Sequence, residues 1–340
     1  MTKFYFRRAC LIGAVLLPFS PVQSQQIPAS PSEPIRVRVD MVSVGVIVTD
    51  DSGKFVEGLR HEDFHVLDNG VEQPIRYFSL EQPSHVLLLV EAGPAVYLLE
   101  GGHLNAAYAL LSGLSPSDQV AVVKYAEKPE AVCDFSADKQ IAAGALEHLN
   151  FNLGFGALNL SESIAGVLDW LDKTEGTKTI VLLSTGVDTS APKAVAELLQ
   201  RLRVGDVRLL AVSLAVEMRT PTASKKRSTP SQAAVLAAQQ FAEADETLRQ
   251  LAGVTGGRAY FPANAKEFSA AYAEIAQIVR HEYSLGFSPG ELDGQVHRIE
   301  VRVVVDDARA HGLRVDHRQG YVATPRPRPA ENDLDKMRME

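Results

Sequence analysis

The stretch His85-Val86-Leu87-Leu88-Leu89-Val90-Glu91 decides the architecture. Its apolar residues run on without alternation, as in a strand buried on both faces, and such strands belong to parallel sheets covered by helices on both sides. Further along, Leu104, Ala107, Tyr108 and Leu111 fall at i, i+3, i+4 and i+7, the spacing of an amphipathic helix. The rhythm then repeats. Gln119–Tyr125 and Ala131–Phe135 read as strands and Asp138–Leu149 as a helix. Ile164, Val167, Leu168 and Leu171 stripe the next helix, before a buried strand at Thr179–Leu183. Val195, Leu198, Leu199 and Leu202 mark another helix, followed by strand Val207–Val216, a helix over 234–252, and strand Gly257–Phe261. Phe268, Tyr272, Ile275 and Val279 mark the last helix. Strands alternating with helices in this way predict an α/β fold, a doubly wound and mostly parallel sheet with helices on both faces.

Both flanks are β-type. In Ile35–Val48, alternation through Val37, Val39 and Met41 changes phase near Val42 and resumes at Val44, Val46 and Val48, consistent with a bulge. Asp50-Asp51-Ser52-Gly53 is a turn sequence. Phe64–Leu67 is a strand, and Asp68-Asn69-Gly70 places Asn-Gly where a tight hairpin needs positive φ. At the other end, Ser284–Phe287, Arg298–Val305, Leu313–His317 and Tyr321-Val322 are strand-like, with Ile299, Val301, Val303 and Val305 alternating. A small β-rich subdomain built from both ends, 35–82 with 284–324, around an α/β domain at 83–283 is the economical arrangement. Met218–Ser231 reads as a surface insertion, 25–34 as a flexible lead-in and 325–340 as a disordered tail.

The 340 residues carry 34 basic and 42 acidic side chains, a net charge of −8, with 46% hydrophobic residues. The start resembles an export signal: Lys3, Arg7 and Arg8, then apolar Ala9–Phe19, then a cleavage-type Val22-Gln23-Ser24, giving a leader over 1–24. Without it the balance is 31 basic to 42 acidic, −11, which disfavours phosphate backbones and anionic lipid; no nucleic acid is expected as a partner. The apolar stretch is about half the ~20 residues that span a bilayer. No stable transmembrane segment is therefore expected after cleavage, and a retained anchor is the alternative. The expected address is exported, periplasmic or secreted. Only Cys133 remains in the mature chain, so no internal disulfide forms.

Val39-Asp40-Met41-Val42, Val48-Thr49-Asp50, Gly58-Leu59, Glu62-Asp63-Phe64 and Asp68-Asn69-Gly70 occur in order near the start. Leu251-Ala252-Gly253-Val254-Thr255-Gly256-Gly257-Arg258, Glu282-Tyr283-Ser284-Leu285-Gly286-Phe287-Ser288-Pro289, Arg298–Val303 and Gly320-Tyr321 follow near the end. Together these motifs resemble the VWFA-related Acidobacterial domain family over about residues 35–325. The resemblance implies a von Willebrand factor A fold. It also implies a divalent-cation site at the carboxyl ends of the strands, built from a D-x-S-x-S turn, a distant Thr and the Asp of an S-D-G turn. Here those positions are Glu91, Gly93, Ala95, Leu158 and Thr185. Three lack a side-chain oxygen and only one carries a carboxylate. The metal site is thus read as degenerate, with no metal or cofactor expected. Asp188 stands three residues beyond the second acidic position, and Glu162 pairs with Asn159 in a capping-box pattern.

His61-Glu62-Asp63-Phe64-His65 satisfies H-E-x-x-H, which binds zinc when a helix turns both imidazoles to one side. Gly58 and Asp68-Asn69-Gly70 leave room for one helical turn, and on a strand the two rings stand about 13 Å apart. Gly154-Phe155-Gly156 lacks the third glycine of a dinucleotide loop, and no nucleophile elbow or P-loop is present. The reading is an exported, non-enzymatic interaction module that binds a protein or other macromolecule. The expected contact face is Glu91, Pro94, Tyr97, Phe155, Thr185 and Asp188, with the two aromatics as anchors. The alternatives are a metal-dependent adhesion protein with a distorted site, a scaffold using an exposed β-edge, and a zinc hydrolase using His61 and His65.

Overall fold

The architecture is seen in a computed structural model that describes residues 41–80, 82–93, 102–149, 156–215, 232–305 and 312–324. The leader, the lead-in, the insertion at 218–231 and the tail lie outside them. The central sheet contains β5 (Ser84–Glu91), β6 (Gln119–Tyr125), β7 (Pro129–Ser136), β8 (Thr177–Ser184), β9 (Val207–Ser213) and β10 (Ala259–Tyr260), in the order β10-β9-β8-β5-β6-β7. All neighbours are parallel except β6 and β7. The helices are α1 (Gly102–Gly113), α2 (Lys139–Glu147), α3 (Leu160–Leu171), α4 (Pro192–Val204), α5 (Gln232–Gly253) and α6 (Ala265–Arg280).

The deciding run divides between two cores. Val86, Leu88 and Val90 pack in one cluster with Ala107 and Leu110 of α1, Leu146 of α2 and Phe268, Tyr272 and Ile275 of α6. Leu87 and Leu89 pack in the other with Ile164 of α3, Leu198 of α4 and Leu248 of α5. A strand with helices on both faces has no side to expose, hence the lack of alternation. The expected doubly wound, mostly parallel sheet is the one observed.

Strands from both ends supply two antiparallel sheets. One has the order β13-β1-β11-β4, with β1 at Val42–Thr49, β4 at Ile75–Ser79, β11 at Tyr283–Phe287 and β13 at Arg314–His317. The other is β14-β12-β2-β3, with β2 at Phe64–Asp68, β3 at Val71–Gln73, β12 at Val296–Val303 and β14 at Gly320–Val322. Between them lie Val44, Val46, Phe64, Val66, Tyr283, Leu285, Phe287, Ile299 and Tyr321. Ile47 points the other way, into the core under α6. The β2–β3 hairpin turns on Asn69 (φ 49°) and Gly70 (φ 84°), the left-handed pair expected of Asn-Gly.

Charged groups fasten these sheets to the α/β layer. Arg208, at the start of β9, gives Nη2 to Glu282 Oε1 at 3.0 Å and to the Gly45 carbonyl of β1 at 3.0 Å, while Nη1 donates to the Gly256 carbonyl. Arg318 donates to the carbonyls of Ser43 (2.6 Å) and Val204 (3.3 Å). Arg258 bridges Glu274 of α6 (3.0 Å) and Asp316 of β13 (2.8 Å). The Thr255–Arg258 and Glu282–Ser284 motifs therefore build the seam between layers.

Candidate functional site

The chain runs from β5 to β6 and β7 on one side, then returns to the other side of β5 for β8, β9 and β10. The carboxyl ends of β5 and β8 thus flank the switch point, where open α/β sheets bind ligands. Glu91 ends β5, and Ser184 and Thr185 end β8. Glu91 is fully buried. Its Oε2 accepts the Thr185 N–H (2.7 Å), the Thr185 hydroxyl (2.8 Å), the Ser184 hydroxyl (3.0 Å) and the Tyr125 phenol (3.3 Å); Thr185 Oγ1 also lies 3.0 Å from Oε1. Ser184 Oγ in turn accepts the Gly186 N–H at 2.8 Å, and it lies 2.7 Å from the Tyr125 phenol. Burial pushes the Glu91 carboxyl pKa up, and the hydrogen bonds from Thr185, Ser184 and Tyr125 offset only part of that. Tyr125 is pushed well up by its burial and by the adjacent Glu91.

The other positions named by the resemblance, 93, 95 and 158, are apolar. A Cβ added at Gly93 would stand 3.0 Å from Leu158 Cδ2 and 3.5 Å from Glu91 Oε1. The side chain missing at 93 is the room that Leu158 fills. Ala95 lies outside the described residues. Octahedral Mg²⁺ needs several oxygens at about 2.0–2.1 Å and keeps much of its water. One carboxylate already engaged by four donor groups, beside a leucine methyl, does not fit that ion. Among the described residues, no group of three or more His, Cys, Asp and Glu is arranged to hold a metal.

Asp188 works beside the site. Its Oδ2 accepts the Ser161 N–H (3.1 Å) and hydroxyl (2.5 Å), and its Oδ1 accepts the Ser190 N–H (2.9 Å). A carboxylate placed there satisfies the Ser161 N–H at the start of α3 and complements the helix dipole. The Asn159–Glu162 capping box expected from sequence does not form. Asn159 instead accepts from the Thr189 hydroxyl (3.0 Å) and donates to the Glu127 carbonyl (3.1 Å). A carboxylate from a loop 27 residues away took over the cap, and no local pattern announces that.

Two members of the expected contact face are corrected by burial. Glu91 and Thr185 are 0% and 1% exposed, because their side chains bond one another. Pro94, Tyr97 and Phe155 lie outside the described residues. The H-E-x-x-H segment is divided: His61–Asp63 form one 3₁₀ turn and Phe64 begins β2. His61 Nε2 meets the Ile75 carbonyl at 3.1 Å, whereas His65 Nδ1 meets Glu72 at 2.6 Å and Glu62 pairs with Arg60. The imidazoles have separate partners, without the shared helical face that zinc chemistry needs. Tyr125, which with Ser184 completes the carboxylate's shell, has no signal in the sequence beyond its place at the end of the neighbouring strand.

No family model matches this chain, and no curated protein matches it. Among solved structures, a von Willebrand factor type A protein from Catenulispora acidiphila aligns with a TM-score of 0.45 at 11% identity, covering 84% of this chain and 75% of that one. An aerotolerance-related membrane protein from Bacteroides fragilis gives 0.42 at 13%, covering 58% and 98%. Proximal thread matrix protein 1 from the mussel byssus gives 0.43 at 10%, covering 60% and 50%. Von Willebrand factor A domains are thus among the structural neighbours, while the fold class rests on the strand order and the two helical layers.

Proposed function

We propose that this protein is an exported, non-enzymatic module of the von Willebrand factor A type that binds a protein partner without a bridging metal. The observation that carries the reading is the saturated Glu91: the carboxylate at the switch point bonds Thr185, Ser184 and Tyr125, with Leu158 against Gly93 beside it. A metal-dependent relative completes its cation's shell with a partner's carboxylate. Without the cation, recognition rests on shape, apolar contact and ordinary hydrogen bonds. Pro94, Tyr97 and Phe155, close in sequence to Gly93 and Gly156, supply that contact. Export follows from the leader-like first 24 residues; among the described residues no helix is long and apolar enough to cross a membrane.

The test is calorimetry and thermal unfolding of residues 25–340 with millimolar Mg²⁺, Mn²⁺ or Zn²⁺ and with a chelator. The expected result is no binding heat and an unmoved midpoint, because an ion that does not bind the native state cannot stabilise it. A stoichiometric, saturable heat lost on Glu91→Ala would overturn the metal-free reading. Restoring oxygen donors at all five positions (Glu91→Asp, Gly93→Ser, Ala95→Ser, Leu158→Thr and Thr185→Asp) is expected to create Mg²⁺-dependent stabilisation where the parent has none.

A further inference from the structure

The second buried titratable cluster lies in the antiparallel sheets, far along the chain from Glu91. His297 on β12 is 6% exposed, Asp68 at the end of β2 is 5% and Tyr321 on β14 is 3%. His297 Nδ1 lies 2.8 Å from Asp68 Oδ1, and its Nε2 lies 3.2 Å from Oδ1 of Asp293, in the loop between β11 and β12. Tyr321 donates to Asp68 Oδ2 at 2.7 Å. An imidazole with a carboxylate oxygen against each nitrogen donates at both ends only when protonated.

From that geometry we propose that His297 is a proton-operated latch on the loop 288–295. The same loop contributes Pro289 and Leu292 to a groove of about 490 Å³, whose other walls include Met41, Val204, Arg318 and Tyr321. In the imidazolium form the ring joins buried Asp68 to surface Asp293, so the loop is fastened to β2 through β12. Losing the proton leaves one N–H. It stays with Asp68, because a buried carboxylate deprived of a donor cannot turn to water, whereas Asp293 can. The Nε2 lone pair then faces an Asp293 oxygen, and the contact turns from attractive to repulsive.

The charges around the ring agree in direction. Burial alone lowers the imidazole pKa, but Asp68 and then Asp293 outweigh it and the net shift is upward. Burial and Asp68 push the Tyr321 phenol up, so it remains a donor, and Arg318 acts on it in the opposite sense. Arg298, next in the strand, is turned outward, and its N–H is held by Asn69 Oδ1 at 2.9 Å. A raised histidine pKa stabilises the fold fully below its unfolded value and ceases to do so as pH rises through the folded value. The latch is therefore closed in mild acid and open in base.

Hydrogen exchange of the full mature chain across a pH series, corrected for intrinsic amide rates, tests this alongside an NMR titration of the His297 ring. Exchange in 288–293 is expected to rise about fivefold as the ring deprotonates, with β2 and β12 unchanged. Asp293→Ala, on an exposed loop, removes the acceptor and is expected to lower the ring's midpoint and leave exchange in 288–293 fast at every pH. His297→Gln is expected to abolish the step. A loop whose corrected exchange does not change across the ring's titration, or a step that survives in Asp293→Ala, would overturn the latch. The outcome is independent of whether the module binds metal.

Discussion

Glu91 and Glu282 are both buried carboxylates at the margins of the same parallel sheet, and they are compensated in opposite ways. Glu282 stands at the seam with the antiparallel sheets and faces a guanidinium, Arg208 Nη2 at 3.0 Å, with side chains 7% and 4% exposed. Glu91 stands at the carboxyl ends of the strands and, among the described residues, bonds an N–H, two hydroxyls and a phenol rather than a cation. A charge matched by a charge fixes two layers in one register; a charge matched by neutral donors has its pKa raised by burial instead. The seam is therefore a staple. The switch point is self-satisfied: the protein's own hydroxyls meet the carboxylate.

The largest effect belongs to the seam. Arg208→Met strands the Glu282 carboxylate and is expected to cost about 3–5 kcal/mol by urea unfolding, only part of it recovered when Glu282→Leu is added, since the Gly45 and Gly256 carbonyls still lack their donor. A cost below about 1 kcal/mol would break the distinction between the two ends. Glu91→Ala should cost less, about 2–3 kcal/mol, because the donors it strands are neutral. Glu91→Gln sharpens the comparison through pH. Since the Glu91 pKa is raised on folding, the wild type is favoured at low pH and loses that advantage as pH rises from the ordinary carboxylate range through the folded value. The glutamine variant lacks that slope, so the wild-type-minus-variant stability should fall as pH rises. A difference that grows with pH would mean the carboxylate has a hidden cation. Smallest of all, Glu62→Gln breaks an exposed pair with Arg60 and should change stability by no more than about 0.5 kcal/mol, with zinc content unaltered.

Much of this was legible in the sequence. The unbroken run at 86–90 specified a strand with two covered faces, and Asn69-Gly70 specified its turn, because each signal is local and has one physical solution. That positions 93 and 158 carry no side-chain oxygen was legible too. What filled the space was not: Leu158 against Gly93, and Asp188 on the start of α3, are contacts between distant segments that carry no periodicity. The burial of Glu91 and Thr185 was missed for the same reason. A polar residue at a strand end reads as surface until its neighbours' hydroxyls are placed.

The weave of both ends into one β-structure has a consequence for the order of events during synthesis. Tyr283 gives its phenolic proton to the carbonyl of Val56, a partner made 227 residues earlier, and β1 lies between β11 and β13. At roughly 5–20 residues per second, Val42–Thr49 would leave the ribosome some 10–50 s before the strands that flank it. During that interval Val44, Val46 and Val48 have no sheet to join, so closure of this sheet waits until residues 283–317 have been made. Delayed closure of this kind leaves a window in which the polypeptide can be threaded while still unfolded.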